Sequence, residues 1–220
     1  MRGIKKIYEQ KTVLDIAEMT FENEKKYALI GANGSGKSTF IKILAGVTAQ
    51  DEGRVDISPL QGTAYLPQQP YGFSFSVRKN ILMAIKGSKE AESIAAKALC
   101  AVGMEKLAEE RGCFLSGGET QRMALARIIA QKNSVLLLDE PTSAMDIEGT
   151  DLIENALLEY CKRERSLLVF STHSPAQALR MADCVVFLDK GKIAEFGATK
   201  DVLYSPRTQE AQIFLQHWRI

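Results

Sequence analysis

The spacing of apolar positions changes along the chain, and each spacing predicts an element. Val13, Leu14 and Ile16 make a short apolar stretch, and residues 22–25 read as a polar turn. Residues 27–30 form a compact apolar run that stops at Gly31, the pattern of a buried strand. Phe40, Ile41, Ile43 and Leu44 recur at helical spacing, which predicts a helix over 39–45 with Gly46 as its stop. Residues 53–57 and 63–66 read as two further short strands. Residues 67–75, rich in Gln, Pro, Gly and aromatics, read as loop. Residues 77–85 and 89–102 then read as helices, the second carrying Ile94, Ala95, Ala98, Leu99 and Val102 at helical spacing. Residues 76–114 therefore read as a small helical insertion.

After the insertion, apolar runs of strand length alternate with helical segments. Helices are predicted at 116–131, 147–162 and 175–181, the last with Ser174 as N-cap and Pro175 in its first position. Strands are predicted at 135–138, 167–170, 184–188 and 192–196, with Lys190-Gly191 as the turn between the last two. The tail, 201–220, reads as helical and interrupted at Pro206. Strand–helix alternation of this kind predicts an α/β fold with a mainly parallel sheet.

Composition narrows the class. A chain of 220 residues with 45% hydrophobic and 25% charged residues is an ordinary globular chain, one large domain or two small ones. Lys plus Arg number 28 and Asp plus Glu 27, so a net charge of +1 gives no electrostatic case for nucleic acid or an anionic surface. No apolar run approaches the ~20 residues of a membrane helix. The first ten residues carry Arg2, Lys5, Lys6 and Glu9 with no apolar stretch of the signal-peptide kind. Cys100, Cys113, Cys161 and Cys184 are scattered and histidines number two, which argues against a zinc site or disulfide framework and for reduced thiols.

The strongest chemistry sits at the end of the 27–30 run. Gly31-Ala32-Asn33-Gly34-Ser35-Gly36-Lys37-Ser38 matches the phosphate-loop pattern at every fixed position, with a strand running in and a helix running out. The glycines let backbone N–H groups turn inward around phosphates, and the helix N-terminus adds partial positive charge. Lys37 would reach the β- and γ-phosphates, the Ser38 hydroxyl would ligate Mg²⁺, and Thr39 adds a further phosphate contact. The alternative is a glycine-rich turn capping a helix; the pattern arises by chance roughly once in a hundred chains of this length. About a hundred residues on, the apolar run 135–138 ends in Asp139-Glu140-Pro141. An Asp there can reach the metal, and an adjacent Glu can activate the attacking water. Alone the pair reads as an acidic turn; with the phosphate loop it reads as nucleoside triphosphate hydrolysis.

Leu115-Ser116-Gly117-Gly118-Glu119 opens the predicted helix 116–131. Ser116 and Glu119 fit a capping box, but two glycines in the first turn are costly for a helix, by about 1 kcal/mol each against alanine. They make sense where something approaches the bare backbone, as a phosphate does at a helix N-terminus.

This stretch resembles the signature of the ABC-type ATPases, and the resemblance spans nearly the whole chain. Tyr8 precedes the phosphate loop at the distance of the adenine-stacking aromatic, with Phe21 and Tyr27 as rivals. Gln68, in Tyr65-Leu66-Pro67-Gln68, resembles the Q-loop glutamine, with Gln69 as its rival. Ser143-Ala144-Met145-Asp146 resembles the D-loop, with Met145 where Leu is more usual. Ser171-Thr172-His173 puts a histidine at the place of the family's switch residue.

The resemblance implies a single ATPase domain over 1–220: a P-loop core with an N-terminal antiparallel β part and the helical insertion. It implies ATP and Mg²⁺ as cofactors and a head-to-tail homodimer enclosing two ATP molecules. In that arrangement Gly31–Thr39 of one copy and Ser116, Gly117, Gly118 and Glu119 of the other hold each nucleotide. Asp139 and Gln68 attend the metal, Glu140 is the general base, His173 contacts the γ-phosphate and Asp146 couples the two sites. A cassette of this size without a membrane span implies separate integral-membrane permease subunits, which would dock beside Gln68 near residues 71–75. It further implies a peripheral location on the cytoplasmic face of the membrane and an extracellular substrate-binding protein. Only 47 positions separate Gln68 from Leu115, which leaves no room for the long coiled coils of chromosome-maintenance relatives. Residues 67–77 and 205–215 are most similar to the ATPase of tungstate-type oxyanion importers. A non-transport ATPase of cell-envelope remodelling or lipoprotein release is the alternative.

Overall fold

The computed structural model describes residues 1–57, 59 and 61–218. Two sheets carry the fold. The first is antiparallel: β1 (Arg2–Tyr8) lies between β2 (Lys11–Glu18) and β4 (Glu52–Arg54). The second has six strands in the order β5 (Thr63–Leu66), β6 (Val135–Asp139), β7 (Leu167–Ser171), β3 (Lys26–Ile30), β8 (Cys184–Asp189) and β9 (Lys192–Ala198). Its pairs are parallel up to β8, and β9 closes the edge antiparallel.

The apolar runs are strands because both faces of the parallel sheet are covered. Along β6, Leu136 and Leu138 enter one core with Leu168 and Phe170 of β7. Val135 and Leu137 enter the other with Val169, and with Phe40 and Ile41 of α1 (Lys37–Leu44). The period of two assigns every second residue to each core. α4 (Gly117–Ile129), α5 (Ile147–Glu164) and α6 (Pro175–Met181) contribute to the first core.

Strand register brings the chemistry to one edge. Asp139 pairs with Ser171, and Ser171 also stands opposite Leu29, so β3, β6 and β7 deliver their carboxyl ends side by side. That edge, where the loops leave the sheet, is the usual binding face of an open parallel sheet.

α2 (Val77–Ala84) and α3 (Ala91–Ala101) pack together and against α4. A short neck joins this pair to the core: Ser76 bridges Arg111, Val77 N–H donates to Glu110 O at 2.8 Å, and Gly112 N–H donates to Phe75 O at 2.8 Å. Two 3₁₀ turns, Glu105–Leu107 and Gly112–Phe114, complete it.

One predicted strand moves. Of residues 53–57 only Gly53 and Arg54 form it; β4 is Glu52–Arg54, wholly exposed. Asp51 anchors the segment early, accepting from Ile7 N–H at 2.6 Å and Lys6 Nζ at 3.0 Å, so only three residues align with β1 before the chain leaves. The tail is helical and broken near Pro206, as α7 (Thr199–Tyr204) and α8 (Gln209–Gln216); its last two residues, 219 and 220, lie outside the described residues. Among the described residues no helix is long and apolar enough to cross a membrane. The four cysteines are free thiols, and burial pushes Cys161 up to about 12.

Candidate active site

The phosphate loop follows β3 and winds tightly enough to exclude a side chain where it leaves the strand. Gly31 has φ +147°, and a Cβ there would lie 2.1 Å from Leu188 O, so no other residue fits without moving β8. Gly36, at φ 107°, is the N-cap of α1. Lys37 is buried with its Nζ inside the loop, donating to Gly31 O at 2.9 Å and Ala32 O at 3.1 Å. Burial pushes its ammonium pKa down, against the opposing pull of Glu140 and Asp139. The loop is also held from outside. Gly191, in the β8–β9 turn, donates its N–H to Ser35 O at 2.9 Å and accepts from Asp15 N–H at 2.8 Å. Asn33 and Gly34 are exposed at the loop's crest, while the buried Ser35 Oγ has no hydrogen-bond partner among the described residues.

Beside the loop lies a set of hard oxygen donors. Ser38 Oγ donates to Asp139 Oδ1 at 3.1 Å, and Ser171 Oγ donates to the same oxygen at 2.6 Å. Asp139 is 1% exposed, yet its Oδ2 has no partner among the described residues. An unpaired carboxylate oxygen in a buried position is costly unless something else takes it. A hydroxyl and a carboxylate oxygen facing a phosphate site suit Mg²⁺, which takes oxygen ligands from one or two protein groups and fills the rest from phosphates and water.

Glu140 is the next residue, and its backbone is turned left-handed at φ 50°. For a non-glycine residue that conformation carries a cost of about 1 kcal/mol, and it persists where neighbours enforce it. Here they do: Glu140 N–H donates to Ser171 Oγ at 2.9 Å, and Gln121 Nε2 donates to Glu140 O at 2.7 Å. The turned backbone aims the carboxylate between two partners. Gln68 Nε2 donates to Oε2 at 3.0 Å, and His173 Nε2 meets Oε1. Residues more than seventy positions apart thus meet on one carboxylate. Glu140 and His173 line a cleft of about 250 Å³ with Thr142, Gln177 and Trp218. α8 reaches it by packing Phe214 on Phe187, ring centroids 5.4 Å apart.

The signature segment forms a separate site. Ser116 caps α4 with a full capping box: its N–H and hydroxyl donate to Glu119 Oε2 at 2.8 and 2.7 Å, and Glu119 N–H returns to Ser116 Oγ at 3.4 Å. The Ser116 hydroxyl and N–H hold the Glu119 carboxyl below the usual carboxylate range. The glycine pair divides into two roles. A Cβ on Gly118 would lie 2.7 Å from Ala144 O, so this glycine serves packing within the chain. A Cβ on Gly117 would meet nothing closer than 3.8 Å, so its backbone faces open space. Both line a cleft of about 540 Å³ with Ser116, Met145 and Asp146, and no phosphate-loop residue borders it. Asp146 is committed locally as N-cap of α5, accepting from Gly149 N–H at 2.8 Å.

Of the three aromatic rivals, Tyr27 is 1% exposed with Phe21 packed edge-on against it at 4.9 Å. Tyr8 stays on the surface at the end of β1, with Lys6 Nζ 5.1 Å above its ring. Its hairpin partner β2 meets the phosphate loop at Val13 and Leu14, the groups nearest a Cβ on Gly36. Thr39 is half-buried in the first turn of α1. Gln68 and Gln69 are both exposed, and Gln68 bonds Glu140. A cavity of about 690 Å³ opens at the opposite ends of β6 and β7; Phe21 lines it, and no phosphate-loop residue, Gln68, Asp139, Glu140 or His173 does. Ser171 and Gln121 carry roles that sequence reading did not assign. Their signal was adjacency alone, one beside His173 and one beside the signature.

Fold and site together define a P-loop cassette that binds and hydrolyses ATP. The chain belongs to the ABC transporter family, whose model matches residues 14–143. It is 37% identical over 203 residues to the tungstate uptake system ATP-binding protein TupC of Peptoclostridium acidaminophilum, covering 88% of this chain and 95% of that one. It is 32% identical to the aliphatic sulfonates import ATP-binding protein SsuB 1 of Nocardia farcinica, covering 94% of this chain and 83% of the relative. In structure it superposes on the dimeric ATP-binding cassette MJ0796 bound to ADP and Pi with TM-score 0.82 at 22% identity, over 90% of this chain and 97% of that one, a likeness of fold.

Proposed function

We propose that this chain is the ATP-hydrolysing subunit of an importer for an oxyanion of the tungstate type. The observation that carries the catalytic part is the meeting of Gln68 and His173 on the Glu140 carboxylate, next to the Ser38–Asp139–Ser171 group. The cargo rests on likeness to TupC over almost the full length of both chains. The sulfonate relative is named for another anion, which favours an oxyanion cargo with tungstate the first candidate.

In this reading the backbone N–H groups of residues 31–39 bind the phosphates of ATP, and Lys37 turns its ammonium from Gly31 O and Ala32 O to the β- and γ-phosphates. Ser35 Oγ gives a further phosphate contact, and Tyr8 stacks on adenine. Ser38 and Asp139 hold Mg²⁺, with Gln68 approaching it; the ion supplies positive charge to the phosphate oxygens. Glu140 takes the proton of the attacking water, and His173 contacts the γ-phosphate and orients the carboxylate.

No phosphate-loop residue borders the signature cleft, which supports a reading in which each nucleotide is held between two copies. A second copy, head to tail, supplies Ser116–Gly118 and Glu119, and Asp146 lies at the junction. The domain is one cassette over 1–220, with the insertion 76–114 joined to the core through the Ser76–Arg111 neck. Permease subunits dock on the aromatic rim beside Gln68. There Tyr71 is 65% exposed, and Arg127 braces the rim, donating to Tyr71 O at 2.9 Å with its guanidinium 5.7 Å from the Phe73 ring.

The test is affinity capture of the tagged chain from solubilised membranes of its host. Copurification of a polytopic permease encoded beside a binding protein, and binding of tungstate by that protein in titration against molybdate, phosphate and sulfate, is the expected result. Preference for another anion corrects the cargo. Capture of an envelope protein with few spans, or of nothing membranous, overturns the importer reading and leaves the ATPase standing.

A further inference from the structure

A buried ionic group lies behind the cleft, and the reaction steps above do not use it. Glu154, midway along α5, is 4% exposed. Arg180 at the end of α6 grips it with two bonds, Nε to Oε2 at 2.7 Å and Nη2 to Oε1 at 2.6 Å. The Arg180 side chain is 49% exposed, so solvent screens the pair and its charge attraction alone does not explain a carboxylate buried here.

Position does. Gln177 Nε2 sits between two acceptors, Glu154 Oε1 at 3.1 Å and Thr142 Oγ1 at 2.8 Å, which takes both of its hydrogens. The Glu154 carboxylate thereby fixes which way the amide faces. Thr142 stands two residues after Glu140, in a loop held on its other side by Gln121, which donates to Glu140 O at 2.7 Å and accepts from Ala144 N–H at 3.2 Å. Gln177 itself is in the first turn of α6, which starts directly after His173-Ser174. One amide thus ties the segment carrying Glu140 to the segment carrying His173.

We infer that Glu154, Gln177 and Thr142 form a positioning relay that sets the separation of the Glu140 carboxylate from the His173 imidazole. The inference rests on the catalytic reading of Glu140 proposed above. Because the relay touches neither the phosphate loop nor the metal donors, it governs turnover and not nucleotide affinity. A misplacement of about 1 Å at a reacting group costs up to 100-fold in rate.

The experiment uses the full chain and compares Gln177→Met, which keeps volume and loses both bonds, with Thr142→Val, Thr142→Ser and the double variant Gln177→Met/Thr142→Val. Glu140→Gln runs alongside. ATPase rates, ATP affinity and thermal midpoints are recorded for each. The expected result is a fall in kcat of about 10-fold for Gln177→Met and Thr142→Val, with KM for ATP within twofold. Thr142→Ser, which keeps the hydroxyl, retains turnover, and the double variant falls no further than either single one. Equal loss in Thr142→Ser and Thr142→Val, a rise in KM at unchanged kcat, or additive losses in the double variant would each overturn the relay. Retained turnover in Glu140→Gln would overturn the base assignment instead, and so separates the two failures.

Discussion

The phosphate loop and the signature segment both present backbone N–H groups at a helix N-terminus, and they are built in opposite ways. The first is shaped from outside: Leu188 O forbids a side chain on Gly31, Gly191 pins Ser35, and burial depresses Lys37. It also leaves Ser35 Oγ and Asp139 Oδ2 buried without partners among the described residues. The second is shaped from within. Ser116 and Glu119 satisfy each other, and Gly117 faces a cleft that no phosphate-loop residue borders. A site with unsatisfied buried atoms can bind a ligand alone, whereas a self-capped helix end exposed to solvent gains one only when another surface brings it. In the proposed function that difference separates binding, assigned to the first region, from assembly, assigned to the second.

Four substitutions sharpen that contrast, in falling order of effect. Glu140→Gln should lower turnover on the order of 1,000-fold while ATP binding persists, read by steady-state ATPase rates and nucleotide titration. Lys37→Met should weaken ATP binding by about 10–100-fold without lowering the thermal midpoint, because the variant no longer buries a charge. Undiminished affinity there would remove the loop from the binding role. Gly117→Ala should stabilise the single chain by less than about 1 kcal/mol through helix propensity and leave ATP binding intact. Its turnover should nevertheless fall about 10-fold, because the added methyl meets the incoming phosphate; unchanged turnover would break the assembly half of the comparison. Ser116→Ala should cost about 1 kcal/mol in thermal unfolding through loss of the cap. The capping contribution has a pH signature. Glu119 is held below its ordinary value, so its contribution is complete above the carboxylate range and is lost as pH falls through the depressed pKa. A melt series from pH 7 to about 3 should therefore show the gap between the wild type and Ser116→Ala narrowing at the acid end, the Glu119 N–H bond to Ser116 Oγ keeping the remainder.

Much of this was legible from local pattern. The runs at 27–30, 135–138 and 167–170 and the phosphate-loop spacing announced the parallel strands and the edge where they end. What local pattern missed came from tertiary packing. β1 carries one fully buried residue, Ile4, so its sequence shows little alternation, and it is a strand because β2 and β4 flank it. The β4 boundary was set by Asp51 reaching back to Ile7, a contact 44 positions long. The glycine pair of the signature read as one device for admitting phosphate, but only a neighbouring chain segment, Ala144, reveals that Gly118 answers to packing. Ser171, Gln121 and Gln177 are ordinary polar residues in sequence, and they acquire roles where register and helix packing turn them onto residues 139–144.

The turn that follows α8 adds a consequence of a different kind. Trp218 lines the cleft beside Glu140 and His173, and the sequence contains one tryptophan. Indole emission from the unlabelled protein therefore originates in the cleft that the proposed catalytic pair, Glu140 and His173, also lines. The chain carries its own optical gauge of that cleft, and an emission change on rapid mixing with ATP is the expected sign that nucleotide reaches it, with no dye or engineered residue.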